Sequence, residues 1–383
     1  MRTFVPLLSK EKIDQLPERA REVVEYRKSG LSLNHIQGCP ADCSYCIRHT
    51  YGMWDQRTPM ALMSDAEAVE ALVGHGYFQP HVTPIQIFNR ATDPFLPKVK
   101  HHLCAVLEDL DARGLTNHVL VITRYPVLPE DCDRLNKLRN VKLTMLFTYS
   151  GIDDRRVEPI NSDIAASSLR LAYEKADRYR TVLYWRPLVP GLNDTDEHLS
   201  TAVELSRSAH ATVFTGLFYR NEIQQYFRDN GIPEPYEDTA RRKIVPETLE
   251  QRVLAAFRDG DGGALFRKTS CAVAYGWNVP DYNGHYGIRD LCDICPVQQL
   301  NLCASAHQVP TEETIRATAA HLPNKEHCDI VEITERAAVL RGLDEQPRYY
   351  LQHALGFQMH DQRHPHRLQL HGRADTGWAD RND

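Results

Sequence analysis

Six short β-branched runs, each parted from the next by an amphipathic stretch, leave this chain few architectures. The runs are Leu31–Ile36, Pro84–Phe88, Val119–Thr123, Val141–Phe147, Thr181–Trp185 and Thr212–Phe218. Between them, Ser64 and Glu67 stand three apart in a capping-box pattern that opens one helix. Leu103, Val106, Leu107 and Leu110 give a second helix its apolar face, and Ile164, Leu169, Leu171 and Ala172 mark a third. Strands separated by helices call for right-handed crossovers and a parallel sheet. The expected fold class is therefore α/β, with six units forming a partial (β/α)6 barrel open on one side. Chemistry in such barrels sits at the C-terminal ends of the strands.

Just beyond the first run comes Gly38-Cys39-Pro40-Ala41-Asp42-Cys43-Ser44-Tyr45-Cys46. The spacing C-x3-C-x2-C brings three thiolates close enough to hold three irons of a [4Fe–4S] cube. The fourth iron is then free to bind a small molecule. A structural zinc site is the competing reading, with His35 or His49 as fourth ligand. Buried unliganded thiols are another.

A second set, Cys271, Cys292, Cys295 and Cys303, lies toward the C-terminus. Cys292 and Cys295 form a C-x2-C knuckle, and Cys303 follows it. Four thiolates suit either a fully ligated [4Fe–4S] cluster or a tetrahedral zinc, with His285 and His307 as spare ligands. Cys104, Cys132 and Cys328 are scattered and read as core residues.

Asp259-Gly260-Asp261-Gly262-Gly263 is a flexible break after a helix begun by Pro246. It divides an expected barrel, residues 1–259, from a cysteine-rich metal-binding module with a helical segment, residues 260–345. Residues 346–383 read as a partly disordered tail, in which His360, His364, His366 and His371 are solvated.

Composition narrows the partners. With 42% hydrophobic and 25% charged residues the chain is an ordinary globular protein. Its formal charge of -6 argues against broad binding to nucleic acid. Residues Met1 to Leu8 lack a signal-peptide hydrophobic region, and no apolar run approaches the length of a membrane span. Ten cysteines without a secretion signal point to a reducing compartment, so a cytoplasmic location with no membrane partner is expected.

The cysteine triplet resembles that of the radical S-adenosylmethionine (SAM) enzymes. Further segments resemble the spore photoproduct lyase group within that superfamily. They are Thr92-Asp93-Pro94-Phe95-Leu96-Pro97, Val121-Ile122-Thr123-Arg124, Phe147-Thr148-Tyr149-Ser150, Val157-Glu158-Pro159, and the stretch from Arg186 to Asp194. Their order, and their positions at strand ends, carry the resemblance over residues 30–220. It implies a radical SAM barrel in which Cys39, Cys43 and Cys46 hold the cluster and the open iron chelates SAM. It further implies that Tyr45 packs near the adenine of SAM. Arg124 stands where the group's Lys approaches the SAM carboxylate, and Arg binds carboxylates bidentately. Ser150 stands where a hydroxyl contacts SAM, and Thr92 and Asp93 line the same rim. The bland alternatives are a helix-entry turn for Thr92-Asp93-Pro94 and a strand-end cap for Ser150. Glu158-Pro159 reads as a turn. The C-x15-G-x4-C spacing from Cys271 through Gly287 to Cys292 resembles the start of an auxiliary-cluster module, although the later cysteines depart from that pattern.

The leading expectation is an enzyme that cleaves SAM to a 5′-deoxyadenosyl radical and abstracts hydrogen from a small molecule or a peptide. Epimerisation, rearrangement or dehydrogenation would follow, with a flavodoxin or ferredoxin as electron donor. The substrate would lie in the barrel mouth under the C-terminal module, where a second cluster anchors it or takes up an electron. The alternative is lesion repair or nucleotide modification, with Arg178, Arg180, Arg241, Arg242 and Lys243 supplying part of a phosphate track. A non-catalytic metal-binding protein is the third reading.

Overall fold

The computed structural model describes residues 5–90, 92–237, 239, 245–288, 291–323 and 328–363. Eight strands form one sheet in chain order: Val24–Arg27, Gly30–Leu33, Ile85–Ile87, His118–Thr123, Lys142–Tyr149, Arg180–Leu188, Ala211–Gly216 and Leu265–Phe266. The first pair is antiparallel. All later pairs are parallel. The sheet does not close on itself, so the architecture is a partial barrel.

All six expected strands are present. Helices cross between them as the apolar spacing required: Asp65–Val73, Lys100–Ala112, Pro129–Leu135, Ser162–Glu174 and Asp196–Ser206. Ser64 caps the first of these, and Glu67 returns the capping bond to the Ser64 backbone. Alternation along the strands sorts side chains to two faces. Val121, Met145, Leu183 and Trp185 point outward into a core shared with Leu107, Leu110 and Leu169. Leu120, Leu146, Val182 and Val213 point inward.

The inward face is where the structure departs from expectation. It is covered by the helix Thr269–Gly276, whose Cys271, Ala272 and Val273 pack on Leu120, Leu146 and Val182. Trp277 Nε1, just beyond that helix, donates to Thr144 Oγ1 at 3.0 Å, and Arg180 Nε donates to the Gly276 carbonyl at 2.9 Å. Thr144 and Arg180 lie near the N-terminal ends of their strands. The helix that carries Cys271 thus fills the lower half of the barrel, rather than roofing the C-terminal mouth.

The expected break at residues 259–263 does end a helix, Glu247–Asp259. The sheet nevertheless continues past it, because Leu265–Phe266 adds a last parallel strand to Thr212 and Val213. The expected tail also differs. A helix, Glu345–Leu355, and a strand, Gln358–Asp361, join Asp329–Ile333 and Ala337–Arg341 in a small second sheet. That helix packs on the edge strand Val24–Arg27. Tyr26 N donates to Gln346 Oε1 at 2.8 Å, and Tyr26 OH pairs with His353 Nδ1 at 2.8 Å. An exposed sheet edge is a liability, and covering it is a common remedy. His360 is buried on the final strand instead of solvated. His364, His366 and His371 lie outside the described residues.

Candidate active site

The cysteine triplet sits on the loop beyond Gly30–Leu33, at the C-terminal side of the sheet. A two-residue ribbon, Ile36–Gln37 with Met60–Ala61, closes the base of this loop. Gly38 enters it at φ +111°, where a Cβ would lie 2.1 Å from the Thr58 carbonyl oxygen, so only glycine fits. Arg48, almost fully buried, gathers the loop from behind. Its guanidinium donates to the carbonyls of Cys39 at 2.7 Å and Gln56 at 2.9 Å, and also to that of Ala41. Five donors in a fixed fork suit such a task. Sequence reasoning passed over Arg48.

All three thiols are free; Cys43 is buried and the other two are half-buried. Burial pushes the Cys43 thiol well above its ordinary range, Glu158 and the neighbouring thiols add to that, and Arg124 opposes it. Burial likewise holds Cys39 up, at about 11. Neither proposed histidine forms a tight trio with two of these cysteines among the described residues. His35 Nε2 instead pairs with Asp65 at 2.8 Å, and His49 stacks on Trp54 with ring centroids 3.7 Å apart. A tetrahedral zinc with bonds of ~2.3 Å needs sulfurs about 3.8 Å apart. No three of the five residues named as donors for this loop, Cys39, Cys43, Cys46, His35 and His49, bring their ligand atoms within 4.8 Å of one another.

Arg124 leaves the end of His118–Thr123 and reaches this loop. Its Nη1 donates to Cys43 Sγ at 3.0 Å, to Tyr45 OH at 2.7 Å, and to the Glu158 carboxylate at 3.1 and 3.2 Å. Its guanidinium carbon lies 5.3 Å from the centre of the Tyr45 ring. Tyr45 OH in turn donates to Glu158. Glu158, read from sequence as part of a turn, is thus a buried counter-ion that balances Arg124. The signal was there in Val157-Glu158-Pro159, but its partner is far off in sequence.

Asp93 ties the neighbouring strand ends together. It accepts from Thr123 Oγ1 at 2.7 Å, from Phe95 N at 2.9 Å and from Arg124 N at 3.0 Å. Thr92 Oγ1 beside it is buried with no hydrogen-bond partner. Ser150 Oγ lies 3.2 Å from Ser162 Oγ and accepts from Ile152 N at 3.2 Å, so it organises the turn after its strand. Asn193 Nδ2 donates to the Ser150 carbonyl at 2.6 Å and to the Pro187 carbonyl at 2.8 Å, locking two strand ends.

The second cysteine set gathers on the inner side of the barrel. Cys271 Sγ lies 4.0 Å from His285 Nδ1, and His285 Nδ1 lies 2.8 Å from Asp281 Oδ2. Cys271, Asp281 and His285 are the one tight trio of metal-competent side chains among the described residues. Burial raises the Cys271 thiol, and the charges of Asp281, Cys295, Cys292 and Cys303 raise it further. Burial, then Cys292 and Cys303, do the same to Cys295. Asp281 was not singled out from sequence. His307, a suggested spare ligand, is turned away, with Nε2 2.7 Å from the Glu335 carbonyl.

Between the two cysteine groups lies a cavity of about 580 Å³. Ile47 and Thr50, next to Cys46, line one side, and Ser270 and His285, next to Cys271, line the other. Of the suggested phosphate track, Arg178 and Arg180 are not among the residues that line the cavity. Arg178 is spent on the Leu138 and Arg139 carbonyls, and Arg180 stacks on Trp277. Arg241, Arg242 and Lys243 lie outside the described residues. Among the described residues no helix is long and apolar enough to cross a membrane.

No protein-family model matches the chain, and no curated protein matches it in sequence. Among solved structures, a spore photoproduct lyase variant superposes with a TM-score of 0.50 at 14% identity, over 63% of this chain and 78% of that one. The lyase complexed with dinucleoside spore photoproduct gives 0.46 at 14% identity, over 63% and 78%. Streptococcus suis SuiB bound to S-adenosylmethionine gives 0.40 at 9% identity, over 65% of this chain and 53% of that one. The first likeness shows the fold, a partial radical SAM barrel.

Proposed function

We propose that this chain is a radical SAM enzyme whose substrate, a small molecule or a peptide segment, occupies the cavity inside the barrel. One observation carries the reading. Three free thiols share a single short loop at the C-terminal side of a partial barrel, with Arg124 donating to one of them. Cys39, Cys43 and Cys46 would hold a [4Fe–4S] cluster. With SAM it supplies one-electron cleavage of SAM and the 5′-deoxyadenosyl radical that takes a hydrogen from the substrate.

The chain's own residues do the rest. Arg124 favours the ionised form of Cys43 by donating to its sulfur, as a charge-assisted bond does. Glu158 neutralises Arg124, so the loop is not left with an uncompensated buried cation. Tyr45, Thr92, Asp93, Arg124 and Ser150 form the proposed rim for SAM, where the buried Thr92 hydroxyl lacks a hydrogen-bond partner. Cys271, Cys292, Cys295 and Cys303 are proposed to hold a second metal group on the opposite side of the cavity. Four thiolates suit a second [4Fe–4S] cluster, and with the close trio Cys271, Asp281 and His285 they also suit a zinc.

The test is anaerobic. Reconstituted, reduced protein given SAM should release 5′-deoxyadenosine and methionine. A fully iron-loaded chain that releases neither would overturn the reading.

A further inference from the structure

We infer that the substrate of this barrel carries an anionic group, a carboxylate or a phosphate, and that Arg186 is its anchor. This rests on the reading above only in taking the cavity as the substrate's place.

The cavity walls are polar and cationic. Seven Lys or Arg residues line it against four Glu and no Asp, which leaves three positive charges over. Of these cations, Arg27 and Arg267 are already matched. Glu25 lies 3.9 Å from Arg27 and 3.5 Å from Arg90, and Arg267 pairs with both Glu250 and Asp293. Arg186 is different. Among the described residues no carboxylate reaches it, its Nη1 has only the Tyr184 hydroxyl at 3.3 Å, and its Nε is buried with no partner. Arg186 is half-buried and faces the cavity, and a partly desolvated guanidinium with no counter-ion binds an anion through charge-assisted bonds, so a natural occupant of the site is an anion.

Geometry points the same way. The Arg186 guanidinium carbon lies 5.0 Å from the centre of the Tyr184 ring, two residues earlier on the same strand. Stacking of this kind fixes the guanidinium plane, and a fixed fork matches a carboxylate or a phosphate through two parallel bonds. Arg186 also belongs to the upper half of Arg180–Leu188, two residues from its C-terminal end. A molecule held there by its anionic end lies between the Cys46 side of the cavity and the His285 side. A cavity of about 580 Å³ suits a small molecule or a short segment of a larger one.

The test uses the full chain and three probes: inorganic phosphate, glutarate, and neutral glutaramide. Binding is read by calorimetry, and arginine-specific modification by phenylglyoxal is mapped by mass spectrometry. One or both anions should bind the parent and slow modification of Arg186, whereas glutaramide should do neither. Whichever anion binds more tightly identifies the group. Arg186→Gln should weaken anion binding about ten-fold or more, and Arg186→Lys should restore part of it. If Arg186→Gln fails to fold, protection of Arg186 in the parent still decides. The inference is overturned if neither anion binds, if glutaramide binds equally, or if Arg186→Gln binds the anion as the parent does. It is also overturned if Arg186→Gln loses SAM affinity by the same factor, since Arg186 would then serve SAM. None of these readouts needs SAM cleavage. A chain that binds the anion through Arg186 but never releases 5′-deoxyadenosine would sink the proposed function and leave this inference standing.

Discussion

Arg124 Nη1 lies 3.0 Å from Cys43 Sγ, so one guanidinium joins the end of the strand His118–Thr123 to the cysteine loop. The same nitrogen serves Tyr45 and Glu158. A single cation thus holds together a thiol, a phenol and a carboxylate, all buried. It favours the thiolate that a metal requires, and it fixes where that sulfur points.

Replacing Cys43 by alanine should abolish release of 5′-deoxyadenosine and remove most of the iron held by the first site. Cys104→Ala is the control, because Cys104 is a core thiol away from the loop on Lys100–Ala112. Iron content and nucleoside release by chromatography decide. Cys43→Ala cleaving SAM as well as the parent would defeat the assignment.

The pair Arg124 and Glu158 should behave as one unit. Removing only one partner leaves a buried charge uncompensated, which costs roughly 3 kcal/mol. Glu158→Gln should therefore lower the urea midpoint. A double replacement should cost less than the sum of the two single ones. Arg124→Ala should also weaken SAM binding by roughly 1.5–3 kcal/mol. Strict additivity in the cycle would show that the two side chains do not support each other.

Metal analysis separates the readings of the second site. About eight irons per chain indicate two cubes, and about four irons with one zinc indicate a structural zinc. Cys292→Ser should remove the metal of the second site and leave that of the first. Asp281→Asn should lower occupancy less than Cys292→Ser if the carboxylate only orients His285. Equal losses would place Asp281 among the ligands.

Acid should destabilise the fold through its buried imidazoles. Burial holds His118 and His353 down at about 3, against an ordinary 6.5. Both stay neutral in the folded chain while the unfolded chain takes up protons from 6.5 downward. Their contribution is therefore fully present above pH 6.5 and is lost as pH falls toward 3. His118→Gln should flatten the decline of thermal midpoint between pH 6.5 and 4.5, as read by circular dichroism. An unchanged slope would exclude His118 as a source of the acid sensitivity.

The two groups of cysteines show how far sequence reaches. Cys39, Cys43 and Cys46 are contiguous enough for spacing alone to propose a shared ligand. The C-x2-C of Cys292 and Cys295 is equally local. Asp281 gave no such signal, because an acidic residue ten positions from Cys271 is unremarked until the Thr269–Gly276 helix and the following turn fold back together. Glu158 was misread for a related reason. As part of a Glu-Pro step it looks like turn chemistry, and only the approach of Arg124, thirty-four residues earlier, makes it a counter-ion.

Sequence alone determined the alternation of strand and helix, the parallel sheet it requires, the capped helix at Ser64 and the closeness of the three cysteines on one loop. Each is a property of neighbouring residues, whose periodicity and spacing act within one or two turns of chain. Tertiary structure decided which face of the sheet the Cys271 helix fills, that Glu345–Leu355 shields the edge strand at Tyr26, and that Arg186 faces a cavity with no carboxylate to meet it among the described residues. Those are contacts between segments far apart in the chain. They exist only because burying apolar surface brings distant elements together, and no local pattern encodes which charges will find a partner when it does.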